Sequence, residues 1–260
     1  MRFNLRKIVF LSAVYLLLFL TSFSTLSAQQ AVDLPHSIGN IPSHILSKIK
    51  GEWQSFLKSF KDVLQDDKND LFILVDKKHH LKKEFVPYSL VELKGNTFYQ
   101  VNRAGHKLTP QAREALSQLS RSAKQDGVTI MVSSTYRTYE YQVNLFNRYA
   151  KEYGEKEADR FSARPGATQH RLGTVIDFGS ISNEYADTKA GKWLYKNAGK
   201  YGWSLSYPKG FEDVTGYKWE CWHYRYLGVK ACRLQKQYFE DVQQYLLEFI
   251  HWWKENQKMQ

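Results

Sequence analysis

The stretch TQHRLGTVIDFG, Thr168 to Gly179, holds an imidazole and a carboxylate, His170 and Asp177, seven residues apart around a glycine. Asp177 interrupts an otherwise apolar run, Thr174 to Phe178, that reads as a buried strand. A charge in such a run costs free energy unless a cation or a set of donors meets it. A zinc ion is one solution, since carboxylate oxygen and imidazole nitrogen both ligate it and Gly173 lets the backbone turn so that the two side chains converge. Backbone amides at a strand end are another, with His170 an ordinary loop residue. These two residues alone leave both readings open.

A second stretch, KWECWHYRYLG, places Glu220 and His223 three apart among Trp219, Trp222 and Tyr224. A hydrolytic zinc centre takes three protein ligands, keeps one position open for water and commonly has a carboxylate base outside the ligand set. His170, Asp177 and His223 fill the ligand set, and Glu220 the base. With one carboxylate and two neutral imidazoles the ion keeps a net positive charge that acidifies water. A regular strand would send residues 220 and 223 to opposite faces, so this reading requires a bend near Cys221. Cys221 is an alternative ligand, but a thiolate would lower the charge of the metal, and Cys232, with ten residues between them, offers it a disulfide partner instead.

Elements must position these groups. Thr109 and Pro110 are an N-cap and a first helical residue; Ala112, Leu116, Leu119 and Ala123 form one face, and Asp126-Gly127 ends the helix before the strand VTIMV. That strand ends at Ser133 and Ser134 and delivers Arg137 into a turn, after which Thr138 caps a helix through Gln142, Leu145, Phe146 and Tyr149. Alone, Arg137 reads as a surface ion-pair residue rather than a site residue. Upstream, Ser43 to Leu64 is expected as one amphipathic helix on Ile45, Ile49, Trp53, Phe56, Phe60 and Val63, and Leu71 to Val75 as a short apolar strand. His79 and His80 follow among lysines, where repulsion disfavours a metal. The C-terminal QKQYFEDVQQYLLEFIHWWK is expected as a helix with Tyr238, Val242, Tyr245, Phe249 and Trp253 on one side; Trp252 and Trp253 leave a membrane or partner dock as the alternative.

With 260 residues, 43% of them hydrophobic and 15% aromatic, the chain is excluded from the disordered class and supports one sizeable core. Its start has the layout of a signal peptide: Arg2, Arg6 and Lys7, an apolar run from Ile8 to Leu20, then small residues up to Ser27 and Ala28. The alternative is an uncleaved membrane anchor over residues 8–28. Either way the remainder is expected to be exported, to the periplasm, cell envelope or extracellular space. Losing those three basic residues takes the formal charge from +11 to +8. The remaining Lys and Arg are dispersed, which argues against nucleic acid and for an anionic envelope polymer as partner.

In the order and spacing of its motifs the chain resembles the VanY-type D-alanyl-D-alanine carboxypeptidases, within the zinc peptidases that include lysostaphin and the hedgehog signalling domain. The family pattern is Ser-x-x-Tyr-Arg, then Ser-x-His-x-x-Gly-x-Ala-x-Asp, then Glu-x-x-His; it falls here on Ser133 to Arg137, Thr168 to Asp177 and Glu220 to His223. The resemblance implies an α+β fold, a small antiparallel sheet carrying a zinc site with helices packed around it. It implies that His170, Asp177 and His223 bind Zn2+, that Glu220 is the general base, and that Arg137 binds substrate or stabilises charge on the attacked carbonyl. Gln142, Thr168 and Tyr207 would line the substrate cleft. The chain departs from the pattern at Thr168 for Ser, Val175 for Ala and Cys221 where Pro is common, which bears on substrate choice rather than on the ligands. The organisation that follows is a signal peptide over 1–28, an N-terminal helical accessory segment over 29–70, the peptidase-like domain over 71–233 and a C-terminal helix over 234–260. The activity implied is hydrolysis of D-Ala-D-Ala bonds in peptidoglycan stem peptides by a metal-activated water. The alternatives are an L,D-carboxypeptidase, a peptidoglycan endopeptidase and a non-catalytic, zinc-stabilised wall-binding module.

Overall fold

The expected helix over Ser43 to Leu64 divides in two, α1 (Ser43–Gly51) and α2 (Trp53–Leu64), because the backbone leaves helical geometry at Glu52, next to the weak helix former Gly51. The inward stripe is the expected one: Ile45, Ile49, Trp53, Phe56, Phe60 and Val63 are all buried. These coordinates come from a computed structural model that describes residues 34–257, so the expected leader and anchor over residues 1–28 lie outside the described residues.

Leu71 to Val75 is apolar and largely buried, yet it is not a strand. The carbonyls of Leu71 and Ile73 accept from the guanidinium of Arg225, at 2.8 and 2.9 Å. A fully buried side chain thus takes the place that a neighbouring strand would fill.

Two short strands, β1 (Val91–Glu92) and β3 (Lys107–Leu108), pair antiparallel and bracket β2 (Tyr99–Val101) in sequence. Helix α3 (Pro110–Gln125) starts as its cap predicts, with Thr109 Oγ1 accepting from the Ala112 amide, and leads to β4 (Ile130–Ser134). Thr138 caps α4 (Tyr139–Tyr153), which is followed by α5 (Glu155–Phe161). Beyond these come β5 (Val175–Phe178), α6 (Lys189–Asn197), β6 (Trp203–Leu205), the single turn α7 (Glu212–Thr215) and β7 (His223–Tyr226).

Five strands form the sheet that carries the site, in the order β2-β4-β5-β7-β6. Three of its four pairings are antiparallel, but β2 runs parallel to β4. The antiparallel sheet expected from the resemblance is therefore mixed, since the connection through β3 and α3 is long enough for a parallel crossover. β5 lies in the middle with all four residues buried, which accounts for its apolar sequence. Its register sets Asp177 opposite Ser134 on β4 and opposite His223 on β7.

The C-terminal stretch is two helices, α8 (Val229–Tyr238) and α9 (Gln243–Gln257), not one over 234–260. Between them Glu240 and Asp241 adopt left-handed conformations, φ 52° and 60°, that turn the chain. The aromatic side of α9 packs on α2: the Phe249 ring lies 5.1 Å from Phe56 and 5.3 Å from Phe60, and Trp253 lies 5.3 Å from Phe60. From Pro35 onward the chain forms one compact unit, so the segments expected as accessory at either end share a core with the peptidase-like part. Among the described residues no helix is long and apolar enough to cross a membrane.

Candidate active site

His170 sits in a single 3-10 turn, Gln169–Leu172, that Gly173 closes in the left-handed conformation, φ 68°. The left-handed conformation is what calls for glycine at position 173, and a Cβ there would in addition have to displace the tip of the Leu90 side chain. Thr168 Oγ1 accepts from the His170 amide at 3.3 Å and starts the turn. The bend required near Cys221 is present: Cys221 and Trp222 form a turn closed by the His223 amide on the Glu220 carbonyl at 3.2 Å. The turn brings His223 Nδ1 to Asp177 on β5 and the Glu220 carboxylate to His223.

His170 Nε2 lies 3.2 Å from Asp177 Oδ2, His223 Nδ1 lies 3.1 Å from Asp177 Oδ1, and Glu220 Oε2 lies 3.3 Å from His223 Nδ1. One ligand atom from each of His170, Asp177 and His223 falls within 4.8 Å of the others, and all three residues are buried. His170 Nδ1 faces the Thr135 carbonyl at 2.6 Å, which can only accept, so the proton is on Nδ1 and the Nε2 lone pair points at Asp177. His223 Nε2 faces Gln169 Oε1 at 3.3 Å, which turns Nδ1 toward Asp177 and Glu220. Asp177 Oδ1, although at ion-pair distance from His223, is buried without a hydrogen bond. Three electron-pair donors converging on one point repel unless a cation lies among them, so the residues fit a metal ion.

The titration of these groups follows the same geometry. Burial, reinforced by the Arg137 charge, pulls His170 down to about 4, which keeps it neutral. Burial alone would raise Asp177, but the two imidazoles hold it well below the usual carboxylate range. His223 is pulled down by burial and pushed up more strongly by Asp177 and Glu220, to about 9, so that in the metal-free protein a proton takes the place of the cation. Burial raises the Glu220 carboxyl above its ordinary value, against the opposing pull of His223 and Arg137.

Arg137 donates from Nη2 to Asp177 Oδ2 and to Ser134 Oγ, both at 2.9 Å, and from Nε to the same hydroxyl at 3.1 Å. A cleft of about 490 Å³ opens over the cluster, and Arg137, Thr168, Tyr207 and Glu220 stand on its wall with the three candidate ligands. The Tyr207 ring lies 4.7 Å from that of His223. Gln142, expected on this wall, is instead fully buried behind Arg137: its Oε1 faces Nη1 at 3.5 Å and its Nε2 donates to the Ala163 carbonyl at 2.7 Å. The expected disulfide is absent, and Cys221 and Cys232 are both free and buried. The turn that aims Glu220 and His223 points the Cys221 thiol at the Ser182 carbonyl, 3.5 Å away, and also keeps it out of the ligand cluster. Sequence reasoning missed Ser134, the Thr135 carbonyl, Gln169 and Tyr217, whose ring lies 5.0 Å from that of Tyr207 on the cleft wall. Ser134 and Thr135, within the motif that ends at Arg137, and Gln169, adjacent to a candidate ligand, carried a local signal; Tyr217 did not.

The family model for VanY, D-alanyl-D-alanine carboxypeptidase, matches residues 105–229, the span that holds every group of the site. The Bacillus subtilis protein YodJ, whose name assigns it provisionally to the carboxypeptidases, is 31% identical over 194 residues, covering 70% of this chain and 71% of that one. Among solved structures, the LD-carboxypeptidase LdcB superposes with a TM-score of 0.60 at 29% identity, over 67% of this chain and 87% of that one. A mutant of the vancomycin-resistance D,D-pentapeptidase VanY, in complex with Zn(II), superposes with a TM-score of 0.55 at 26% identity, over 68% and 98% of the two chains. The chain belongs to the VanY family of D-alanyl-D-alanine carboxypeptidases.

Proposed function

We infer that this protein is a zinc-dependent D,D-carboxypeptidase that removes the terminal D-alanine from peptidoglycan stem peptides. The observation that carries the reading is the His170–Asp177–His223 cluster lining a cleft, with the Glu220 carboxylate 3.3 Å from His223 on the same wall. Held by those three residues, zinc supplies Lewis acidity, polarising a carbonyl and acidifying water. Glu220 is placed to take a proton from water, and a carboxyl raised by burial can hold that proton and return it to the departing amine. Arg137, anchored on Asp177 and Ser134, brings a planar cation to the cleft for the substrate carboxylate or for the charge that develops on the attacked oxygen. The leader-like residues 1–28 and the basic balance of the remaining chain support action in the cell envelope, on an anionic wall.

The likeness to LdcB favours a second reading, an L,D-carboxypeptidase acting on tetrapeptide stems. Product analysis separates the two. The purified, zinc-loaded protein should convert a stem pentapeptide ending in D-Ala-D-Ala to the tetrapeptide by loss of one D-alanine, and stop there. Conversion of tetrapeptide to tripeptide with the pentapeptide intact would replace the D,D reading by the L,D one. Scission of cross-linked dimers with both termini untouched would make the protein an endopeptidase.

A further inference from the structure

Behind His223, on the side away from the cleft, three buried polar side chains form with it a chain of hydrogen bonds that runs into the C-terminal helix. Gln169, Ser206, Gln243 and His223 are each no more than 4% exposed. At the far end Gln243 Nε2 lies 3.2 Å from the carbonyl oxygen of Ser204 on β6. A main-chain carbonyl only accepts, so Gln243 must present its NH2 there and its oxygen in the other direction. That oxygen lies 3.4 Å from Gln169 Nε2 and 3.2 Å from Ser206 Oγ. The orientation of the Gln169 amide is thereby fixed in turn, with its NH2 toward Gln243 and its Oε1 toward His223 Nε2 at 3.3 Å, where the Ser206 hydroxyl also reaches it at 2.9 Å. An imidazole lone pair facing an amide oxygen would be repelled, which puts the proton of a neutral His223 on Nε2 and leaves Nδ1, the atom facing Asp177 and Glu220, free to ligate.

We propose that Gln169 and Gln243 are positioning residues of the metal site, which together lock His223 in the Nε2–H tautomer that ligates through Nδ1. The orienting signal starts at a backbone carbonyl of β6 and passes through two amides, so helix α9 is a working part of the site. Gln243 lies outside the span matched by the family model, residues 105–229, and touches neither the metal ligands nor the cleft. Ligating imidazoles generally rely on such a partner at the other ring nitrogen, and its loss costs on the order of 10- to 100-fold in metal affinity or activity.

The inference rests on the zinc reading above, and its test uses zinc binding and ring spectroscopy rather than hydrolysis. Zinc affinity is measured by chelator competition on the purified protein and on Gln169→Met and Gln243→Met, which keep side-chain length and lose the amide. Gln169→Met should weaken binding on the order of 10- to 100-fold, and Gln243→Met should weaken it less but in the same direction. Thermal unfolding of the zinc-free proteins controls for folding. Nitrogen-15 spectra of the zinc-loaded wild type should show His223 protonated at Nε2, and in Gln243→Met this proton should exchange faster with solvent. Wild-type zinc affinity in both variants, or a zinc-loaded His223 protonated at Nδ1, would overturn the proposal while leaving the zinc enzyme intact. A wild type that binds no zinc would overturn the function and this inference with it.

Discussion

At the level of single residues the site is a balance between burial and charge. Asp177 is enclosed and ionised between the Arg137 guanidinium and the His223 imidazole, which carries a proton in the metal-free protein, and each of these groups is held from behind by a further partner. Arg137 illustrates the consequence. Its Nη2 and Nε are engaged by Asp177 and Ser134, so the fork is fixed in direction and what it offers the cleft is a rigid, planar edge. A lysine cannot hold both anchors and still present a donor to the cleft in a fixed direction. We predict that Arg137→Lys slows D-alanine release from a stem pentapeptide with a free C-terminal carboxylate far more than cleavage of the same peptide as its C-terminal amide. Rates on the two substrates for wild type and variant check this; an equal loss on both assigns Arg137 to the developing oxyanion instead. That His170, Asp177, Glu220 and His223 come together was legible in the sequence because the motifs are local. Gln142 was misplaced, since whether a helix residue faces the cleft or backs its neighbour depends on the Ala163 carbonyl, 21 positions away.

Among the elements, those with strong periodicity were readable from spacing alone: α3 with its Thr109 cap, and the stripe from Ile45 to Val63. The failures have physical causes that no window of sequence contains. Leu71 to Val75 has strand composition, but its carbonyls are taken by Arg225, 154 residues further along the chain from Leu71. The break between α8 and α9 falls on Glu240 and Asp241, which adopt left-handed conformations without the glycine that normally signals them. The parallel placement of β2 was equally invisible, because pairing direction depends on the path of the connection. Helix α9 gives a stability prediction at this scale. Phe249 is fully buried against Phe56, Phe60 and Phe239, so Phe249→Ala should destabilise the protein by about 3–5 kcal/mol. Urea unfolding checks it, and a loss under about 1 kcal/mol would mean that the α2–α9 contact is peripheral to the fold.

From Pro35 onward, the N-terminal helices, the mixed sheet and the C-terminal helices share a compact unit, and α2 and α9 contribute to one aromatic core. The expected division into accessory and catalytic parts described sequence order more than spatial organisation, since α9 both packs on α2 and supplies Gln243 behind the site. This assembly serves a central claim, that a metal held by His170, Asp177 and His223 works with Glu220 as the base. The most direct measurement compares zinc content and D-alanine release from a stem pentapeptide for the wild type and Glu220→Gln. Zinc should stay at one per chain in both, while release falls by roughly two orders of magnitude or more, because an amide of the same shape cannot accept the proton. Release near the wild-type rate from the zinc-loaded Gln variant would contradict the account.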